Sequence, residues 1–311
     1  MNWDKIGLIY RLRKRKYWSI SHAQIPSGLM INDNILRIYF GTRDKHNRTV
    51  TTFIDVEADS PKIITKIGEN PALNLGEIGT FDDCGAMPSW LLKKDGIIYL
   101  FYTGWNVCGS VPYRNSIGLA ISEDNGISFK KLFSGPVLDR NYLEPYFCAT
   151  PCVLIENGVW RMWYLSCTKW QVSNGKPEPF YNIKYAESTD GINWRRKGIT
   201  CIDIKSSQEG AIARPCVLKE NNLYKMWYSM RGTNNYRRDP SNSYRIGYAE
   251  SSDGIKWERK DKMVGINVSK SGWDSEMIAY PFVYKHKRQK YLLYNGNNFG
   301  RTGFGCAVLR K

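Results

Sequence analysis

Residues 215–257 read PCVLKENNLYKMWYSMRGTNNYRRDPSNSYRIGYAESSDGIKW, and this stretch decides the fold. A proline opens a short apolar run, and the polar tip ENN separates that run from the aromatic run YKMWYS. The run RIGYAES follows, and the tight-turn residues of SSDG lead into a final aromatic segment that ends at Trp257. Short apolar runs joined by tips rich in Asn, Asp and Gly are typical of antiparallel strands in successive hairpins. The stretch therefore predicts a unit of four antiparallel strands.

The same unit occurs five times along the chain. Its opening prolines are Pro26, Pro88, Pro151, Pro215 and Pro281, which are 62, 63, 64 and 66 residues apart. Repetition at a fixed period is the sequence signature of a propeller or a solenoid. Five units of four antiparallel strands predict an all-β protein, a five-bladed β-propeller.

The ends of the chain are predicted to complete the last blade. The fifth unit stops after its third strand, whereas the N-terminal MNWDKIG resembles the fourth strands INWRRKG and IKWERKD, aligning Trp3 with Trp194 and Trp257. We expect residues 2–10 to supply the missing outer strand beside residues 303–309, which would leave no open sheet edge. Residues 1–311 are then expected to form a single domain.

Composition limits the class of protein. The aromatic fraction of 14% argues against disorder. The sequence contains no run of 18 apolar residues, the length that would suggest a membrane-spanning helix. The N-terminal charges follow only a very short apolar run, so we expect no signal peptide and a cytoplasmic location. The eight cysteines are accordingly expected to be reduced thiols.

The net charge of +16 admits two interpretations. The first is an acidic partner, which would be nucleic acid or an anionic polysaccharide. The second is a solvated surface with scattered lysines and no such partner. Two basic runs stand out. RLRKRK at 11–16 directly follows the N-terminal strand predicted at residues 2–10, and KHKRQK at 285–290 forms a hairpin tip. Neither is expected to reach the central funnel. For both runs a solvated edge or a contact with an anionic surface is favoured over nucleic-acid binding.

The funnel is where the chemistry is expected. In a propeller the first strands lie nearest the axis, so the segments before the repeat prolines and those after the second strands converge there. Four of the five pre-proline segments carry acids, and the first carries a histidine and a glutamine instead. The residues concerned are Asp82, Asp83, Glu144, Glu209, Asp274 and Glu276, with His22 and Gln24 in the first unit. After the second strands come Arg43, Asp44, Trp105, Asn106, Trp170, Arg231, Asn295 and Asn297.

These residue types suit the chemistry of a glycosidic bond. One carboxyl group protonates the leaving oxygen while another acts as base or nucleophile, and indole rings stack on sugars. The arginines expected to meet an acidic sugar are Arg43, Arg140, Arg214 and Arg231. A strand-entry acid that only caps a turn or pairs with an arginine is an equally open interpretation of each carboxylate. No metal-binding or cofactor-binding motif occurs, so we expect no cofactor.

The segments FDDCGAMPSW (81–90), YRIGYAESSDGIKW (244–257) and YPFVYKHKRQKYLLYNGNNFGRTGFG (280–305) resemble the five-bladed glycosidase superfamily, which includes glycoside hydrolase families 43, 32, 68 and 130. The whole chain looks like a glycosidase-like branch associated with surface-polysaccharide genes. The resemblance implies a catalytic pair formed by Asp83 and Glu209, with Glu276 third. We expect partial burial against Trp105 or Trp170 to raise the pKa of one acid of the pair, so that it can act as the proton donor. The sequence departs from the superfamily's pattern at two places. His22 and Gln24 stand where a base Asp is usual, and EGAIARP only loosely matches the segment that carries the superfamily's catalytic acid.

Three functions are compatible with these features. The first is a glycoside hydrolase acting on an oligosaccharide, with an acidic or surface-polysaccharide sugar as one option. The second is a glycosyltransferase or phosphorylase that uses the same pocket on an activated sugar during polysaccharide biosynthesis. The third is a sugar-binding propeller without catalysis. The acids of the funnel are the feature that separates the enzymes from the binding protein.

Overall fold

The structure is a computed structural model that describes residues 1–173 and 175–310, and it is an all-β fold. The described helical segments are a 3₁₀ turn at Asp261–Met263 and a four-residue turn at Asn297–Gly300. The N-terminal strand is β1 (Trp3–Tyr10). The remaining strands follow in chain order, and the alternating apolar runs of the sequence account for them.

Within the described residues, nineteen further strands form hairpins that repeat along the chain. The first unit holds β2 (Ser21–Met30), β3 (Ile35–Arg43), β4 (Thr49–Glu57) and β5 (Ile64–Ile67). The second holds β6 (Gly85–Lys94), β7 (Ile97–Asn106), β8 (Arg114–Ser122) and β9 (Lys130–Lys131). The third holds β10 (Cys148–Glu156), β11 (Val159–Ser173), β12 (Lys176–Ser188) and β13 (Arg195–Ile202). The fourth holds β14 (Glu209–Glu220), β15 (Leu223–Gly232), β16 (Arg245–Ser251) and β17 (Glu258–Arg259). The last holds β18 (Ala279–His286), β19 (Gln289–Asn295) and β20 (Phe304–Leu309).

The N-terminal strand pairs with the C-terminal one. β1 lies antiparallel to β20, with Trp3 opposite Leu309 and Tyr10 opposite Phe304. This is the pairing that the repeat alignment predicted for residues 2–10. Trp3 is buried and meets the ring of Trp227 edge-on, with centroids 6.4 Å apart. β1 therefore joins the last three strands in a four-stranded sheet, in the order β1-β20-β19-β18.

The units contact one another through their first strands. β2 contacts β6, β6 contacts β10, β10 contacts β14, β14 contacts β18, and β18 contacts β2 again. Single parallel bridges, Thr49–Gly85 and Tyr181–Ala211, join units in pairs and give two eight-stranded sheets. Among the residues that the structure describes, no sheet closes on itself by hydrogen bonds.

The core lies between the units and follows the second strands. Trp163 and Trp227 are fully buried, which is the placement expected for tryptophans inside second strands. Cys152 and Cys216, from the repeated PCVL, are also fully buried. Burial of a large apolar side chain contributes about 1.5–3 kcal/mol, which is why the aromatic second strands hold the units together.

A kink recurs just before the repeat prolines. Ile25, Thr150, Arg214 and Tyr280 all have φ between +44° and +57°, although the residue before a proline normally prefers extended backbone. The strand register shifts at the same places, between residues 24 and 27, 149 and 152, 213 and 216, and 279 and 282. Bulges of this kind redirect side chains and are common beside functional sites.

Candidate functional site

A cavity of about 450 Å³ opens where the five first strands meet. Each of those strands contributes a wall residue: Gln24, Met87, Ala149, Ala213 and Tyr280. Three of the four left-handed pre-proline residues, Ile25, Thr150 and Tyr280, also line it. The repeated bulge therefore shapes the wall of the cavity. This is the funnel that the repeat predicted.

Side chains of neighbouring units hold the kinked backbone in place. The N–H of Thr150 donates to Thr103 Oγ1 at 2.9 Å, and the N–H of Tyr280 donates to Ser229 Oγ at 2.7 Å. The N–H of Ile25 donates to Asn295 Oδ1 at 2.7 Å. A buried N–H is costly without an acceptor. These bonds therefore stabilise the strained segments and fix the positions of the residues that line the cavity.

Eight aromatic rings line the cavity. They are Trp105, Tyr113, Phe147, Tyr181, Tyr236, Tyr244, Tyr280 and Phe299. Several contact each other, and Tyr244 lies beside Tyr236, Tyr280 and Phe299 with centroids about 6 Å apart. Rings with a polar edge give an apolar face for a sugar ring and hydroxyl groups for its substituents.

The charged groups of the cavity wall are cationic. Arg43 and Arg237 line it together with His22, and no carboxylate belongs to its described lining residues. Acids and arginines were both expected to converge here, but the described residues that line the cavity include arginines and no acid. Arg43 donates from Nε to Gln24 Oε1 at 3.1 Å. Within residues 1–173 and 175–310, no carboxylate lies within ion-pair distance of Arg43, so its charge is available to a ligand.

His22 is the second group at the first-unit wall. Its ring nitrogen Nδ1 lies 2.9 Å from Ser21 Oγ, and its backbone φ is 67°. Burial, together with the positive charges of Arg43 and Arg301, lowers the pKa of His22 to about 4. The imidazole is therefore neutral near pH 7, and it offers one donor and one acceptor.

Arg237 differs from Arg43 because it has an acidic partner. Its guanidinium forms an ion pair with Glu178, which also accepts a 2.8 Å hydrogen bond from the Tyr236 hydroxyl. Burial raises the pKa of Glu178, but the bonds from Arg237 and Tyr236 outweigh it and hold that pKa below its usual range. Glu178 thus does not line the cavity itself, but it is bonded to two residues that do, Tyr236 and Arg237.

Arg231 is buried behind the tyrosines. Its guanidinium lies 3.7 Å from the centroid of the Tyr236 ring and donates to the carbonyl oxygen of Pro179. The hydroxyl groups of Tyr181 and Tyr244 are hydrogen-bonded to each other. Arg231 itself does not line the cavity. Its contacts stabilise the positions of the tyrosine rings that line it.

The pre-proline acids of three units lie in buried clips. In each clip a second-strand tyrosine donates to the acid, and a base of the outermost strand faces the same carboxylate. Tyr102 and Lys131 meet Asp82 at 2.8 and 2.6 Å, Tyr164 and Arg196 meet Glu144 at 2.8 and 3.8 Å, and Tyr294 and Lys5 meet Asp274 at 3.0 and 2.7 Å. We call these the tyrosine clips. All three acids are at most 3% exposed, and none lines the cavity.

The fourth unit carries a variant of the clip. Tyr228 donates to Asp261, and Arg259 lies between Asp261 and Glu209. Both Glu209 oxygens accept from Arg259 at 2.8 Å. Burial raises the pKa of Glu209, but the bonds from Arg259 and from the Lys205 N–H outweigh it, and the pKa lies below its usual range. The raised pKa that was expected for an acid catalyst is not found at Glu209.

Asp83 and Glu276 are the other two acids of the implied catalytic set. Asp83 is half-buried, and its Oδ2 accepts from the Gly79 N–H at 3.0 Å. Its Oδ1 is buried and has no hydrogen-bond partner among the described residues. Glu276 is exposed and lines a small cleft that shares Tyr236, Arg237 and Phe299 with the cavity. Glu276 is therefore the predicted acid that lies beside the cavity mouth.

Of the residues predicted to bind substrate, four line the cavity: His22, Gln24, Arg43 and Trp105. Several of the others make local structural contacts instead. Asp44 pairs with Arg48 at 2.8 Å, Trp170 packs on Tyr113 and Phe147, and Asn297 accepts the Glu276 and Met277 N–H groups. Asn106 is half-buried and Arg140 is exposed. Arg214 is fully buried and donates to Ser27 Oγ at 2.8 Å.

Most of the aromatic wall and Arg237 were not predicted from the sequence. Tyr280 and Thr150 stand directly before repeat prolines, and Phe147 stands four residues before one. The repeat therefore marked these positions, but the prediction relied on the acids farther upstream. Tyr236 and Arg237 lie in the connection between β15 and β16, which is longer than the equivalent connections of the other units, so the repeat gave no signal for them.

Comparison with known proteins places the chain in a family. It is 38% identical over 311 residues, covering 100% of both sequences, to the uncharacterized protein MT1551 of Mycobacterium tuberculosis strain CDC 1551 and to the uncharacterized protein Rv1502 of strain H37Rv. The protein belongs to the family of these mycobacterial proteins. No family model matches its sequence.

Solved structures show which fold this family has. The chain is similar to a protein described as a glycoside hydrolase (TM-score 0.75, 15% identity, 99% of this chain and 92% of the other). It is also similar to a protein of the GH130 family of mannoside phosphorylases (0.71, 14%, 99% and 94%) and to a thermostable family-43 glycoside hydrolase (0.66, 16%, 94% and 90%). The protein has the fold of the glycoside hydrolase superfamily that its sequence resembles, and that prediction is confirmed.

Three further findings concern the described residues. They contain no group of three or more His, Cys, Asp and Glu side chains placed to hold a metal ion. None of their helices is long and apolar enough to cross a membrane. All eight cysteines are free thiols.

Proposed function

We propose that the protein acts on a carbohydrate that carries a carboxylate or phosphate group and that binds in the central cavity. The observation that carries this proposal is Arg43, a cation without an acidic partner among the described residues, on a wall that also carries eight aromatic rings. Aromatic faces stack on sugar rings, and a guanidinium binds an anionic group through two parallel hydrogen bonds. The likeness of fold to glycoside hydrolases supports the carbohydrate class.

The proposal includes the architecture that forms the cavity. The five units are taken as five blades of one propeller domain that spans residues 1–311, with β1 completing the last blade. The cyclic contacts among the five first strands and the pairing of β1 with β20 support this arrangement. The cavity then lies on the propeller axis.

For glycosyl transfer or hydrolysis, two candidate carboxylates are connected to residues of the cavity wall, Glu276 and Glu178. Glu276 lies at the cleft that shares Tyr236 and Arg237 with the cavity, and Glu178 is bonded to the same two residues. Asp83 stays a third candidate because one of its oxygens has no described partner. We assign Glu209 to a structural role, since both of its oxygens are bonded to Arg259.

A second candidate function is binding without catalysis. The observation that favours it is the lack of any carboxylate among the described cavity-lining residues, since general acid–base cleavage of a glycosidic bond uses two of them. The protein would then hold an acidic sugar without changing it. Transfer or phosphorolysis uses the same cavity, with an acceptor or phosphate in place of water.

The test pairs binding with turnover. Calorimetry with matched sugars, glucuronate and galacturonate oligosaccharides against their neutral counterparts, is expected to give at least about tenfold tighter binding of the acidic member, because a hydrogen bond to a charged group contributes about 1.5–3 kcal/mol. Arg43→Gln removes that preference. Equal affinity for both members contradicts the proposal. Turnover that is lost in Glu276→Gln or Glu178→Gln, and kept in the exposed control Glu258→Gln, separates an enzyme from a binding protein.

A further inference from the structure

A second and larger cavity, of about 980 Å³, is lined by other residues than the central one. It is bounded by β1, by the segment 11–16 that follows it, and by β5 of the first unit. We call it the basic crevice. It shares no described lining residue with the central cavity. The function proposed above therefore does not account for it.

The crevice combines an apolar floor with a cationic edge. Leu8, Ile9, Phe40, Ile64 and Ile67 supply apolar floor and wall. The cations along it are Arg11, Arg13, Lys14, Lys16 and Lys62, all of them exposed, and Arg15 belongs to the same run. Among the described lining residues, Glu69 is the one that carries a carboxylate.

The cations of the run are not neutralised by the protein. Throughout residues 1–173 and 175–310, none of the cations at positions 11–16 forms an ion pair with an acidic side chain, and Lys16 donates instead to the backbone carbonyl of Glu69. The other basic run behaves differently. There Lys287 pairs with Asp59, and Lys290 pairs with Glu220. An uncompensated cluster of cations attracts a surface of opposite charge.

Apolar side chains are exposed beside these cations. Tyr17 is 87% exposed, Ile67 is 51% exposed and Ile63 is 49% exposed. A tyrosine and aliphatic side chains among lysines and arginines are the combination that enters the boundary between lipid headgroups and acyl chains. Nucleic acid would engage the cations but would leave the aliphatic floor and the isoleucines without a partner.

We propose that the basic crevice docks the protein on a membrane surface rich in anionic phospholipid. The arginines and lysines of positions 11–16, together with Lys62, would meet the phosphate groups, while Tyr17 and Ile67 would enter the apolar boundary. Charge complementarity and the apolar floor both favour this occupant. Docking of this kind is peripheral, and it leaves the central cavity free to bind its own ligand.

The test is sedimentation of the full-length protein with lipid vesicles. Vesicles in which about a third of the phosphatidylcholine is replaced by phosphatidylglycerol are expected to bind at least about tenfold more protein than phosphatidylcholine vesicles, because each basic residue near an anionic surface adds to the attraction. Binding is expected to fall when the salt rises from about 0.05 M to about 0.5 M, since the charges are exposed.

Two sets of variants locate the surface. Arg13→Glu with Lys14→Glu is expected to weaken vesicle binding at least about tenfold, and the matched pair Lys285→Glu with Arg288→Glu, in the other basic run, is expected to leave it unchanged. Tyr17→Ser with Ile67→Ser is expected to weaken vesicle binding, because it removes the apolar side chains that would enter the lipid boundary while keeping every cation. All of these side chains are exposed, and circular dichroism melting checks that each variant folds.

The proposal is overturned by any of three results. They are equal binding of the wild-type protein to both kinds of vesicle, equal loss in the two charge-reversal pairs, and binding to DNA that exceeds binding to anionic vesicles. The first result uses no variant, so a variant that fails to fold leaves the proposal testable. Because the central cavity plays no part in these measurements, their failure does not affect the proposed function.

Discussion

The hydroxyl group of Tyr164 donates a 2.8 Å hydrogen bond to Glu144, which stands seven residues before a repeat proline. Tyr102 and Tyr294 make the same contact with Asp82 and Asp274. In the first unit the corresponding residue is Phe40, and residues 17–25 before its proline contain no acid. The acid and the hydroxyl thus occur together or are absent together. This coupling favours a structural role for the repeated acids, in which each ties the entry of a unit to its outermost strand.

The first prediction concerns the clip of the last unit. Asp274→Asn is expected to lower the free energy of unfolding by about 2–4 kcal/mol, because it leaves the half-buried Lys5 ammonium without its charge partner. Urea unfolding measures the change. The matched control is Asp95→Asn, whose ion pair with Lys94 is exposed and whose loss should leave the free energy of unfolding nearly unchanged. Similar effects of the two substitutions would contradict the clip.

The second prediction concerns the kinked backbone at the cavity wall. Ser229→Ala removes the acceptor of the Tyr280 N–H and is expected to cost about 1–3 kcal/mol, the penalty of an unsatisfied buried donor. It should also weaken ligand binding, since Tyr280 lines the cavity. Thermal unfolding and calorimetry measure the two effects. In the exposed control Ser241→Ala both should stay as in the wild type, and a neutral result for Ser229→Ala would show that the bond is unimportant.

The third prediction concerns Arg43. Arg43→Gln is expected to weaken binding of an acidic sugar about 10- to 100-fold, because the charged hydrogen bonds are lost, and to leave binding of the neutral counterpart nearly unchanged. Calorimetry on both sugars gives the comparison. Arg140→Gln serves as the control, because Arg140 is exposed and lies outside the cavity lining. Loss of acidic-sugar binding in Arg140→Gln would place the site elsewhere.

The fourth prediction concerns pH. His22 has its pKa lowered from 6.5 to about 4 by burial and by Arg43, so between these values the unfolded protein takes up a proton that the folded protein does not. Stability from His22 is therefore fully present above pH 6.5 and is lost as the pH falls towards 4. His22→Gln should flatten the pH dependence in this window by up to about one proton relative to the wild type. Urea unfolding at several pH values provides the test, and a slope in His22→Gln equal to that of the wild type would rule the assignment out.

Much of the fold could be predicted because it is encoded locally and repeatedly. The prolines, the polar tips and the aromatic second strands recur in each unit, and period-two patterns of apolar residues specify strands wherever they occur. The pairing of β1 with β20 was also visible, since MNWDKIG carries the tryptophan of an outer strand. The likeness to the glycosidase fold rested on the same repeated segments.

The assignment of the acids could not be made in the same way. The repeat shows that an acid stands at an equivalent place in four units, but it does not show whether the carboxylate faces the cavity or the outermost strand. That direction depends on Lys5, Lys131 and Arg259, bases that are brought to the acids only by strand pairing across each unit. A carboxylate beside a base and a tyrosine hydroxyl is stabilised where it lies, which draws it away from the cavity.

The sequence by itself determined the number of repeats, the strand content and the outer strand at the N-terminus, because hydrophobic pattern and turn residues act over a few neighbours. Only the tertiary structure decided the character of the site. Arg43 and Arg237 come from different units and meet at one cavity, while the acids are held in clips outside it. A buried carboxylate is stable only beside a cation and a hydrogen-bond donor. The packing of whole strands decides which cation and donor lie beside each acid, and the local sequence does not.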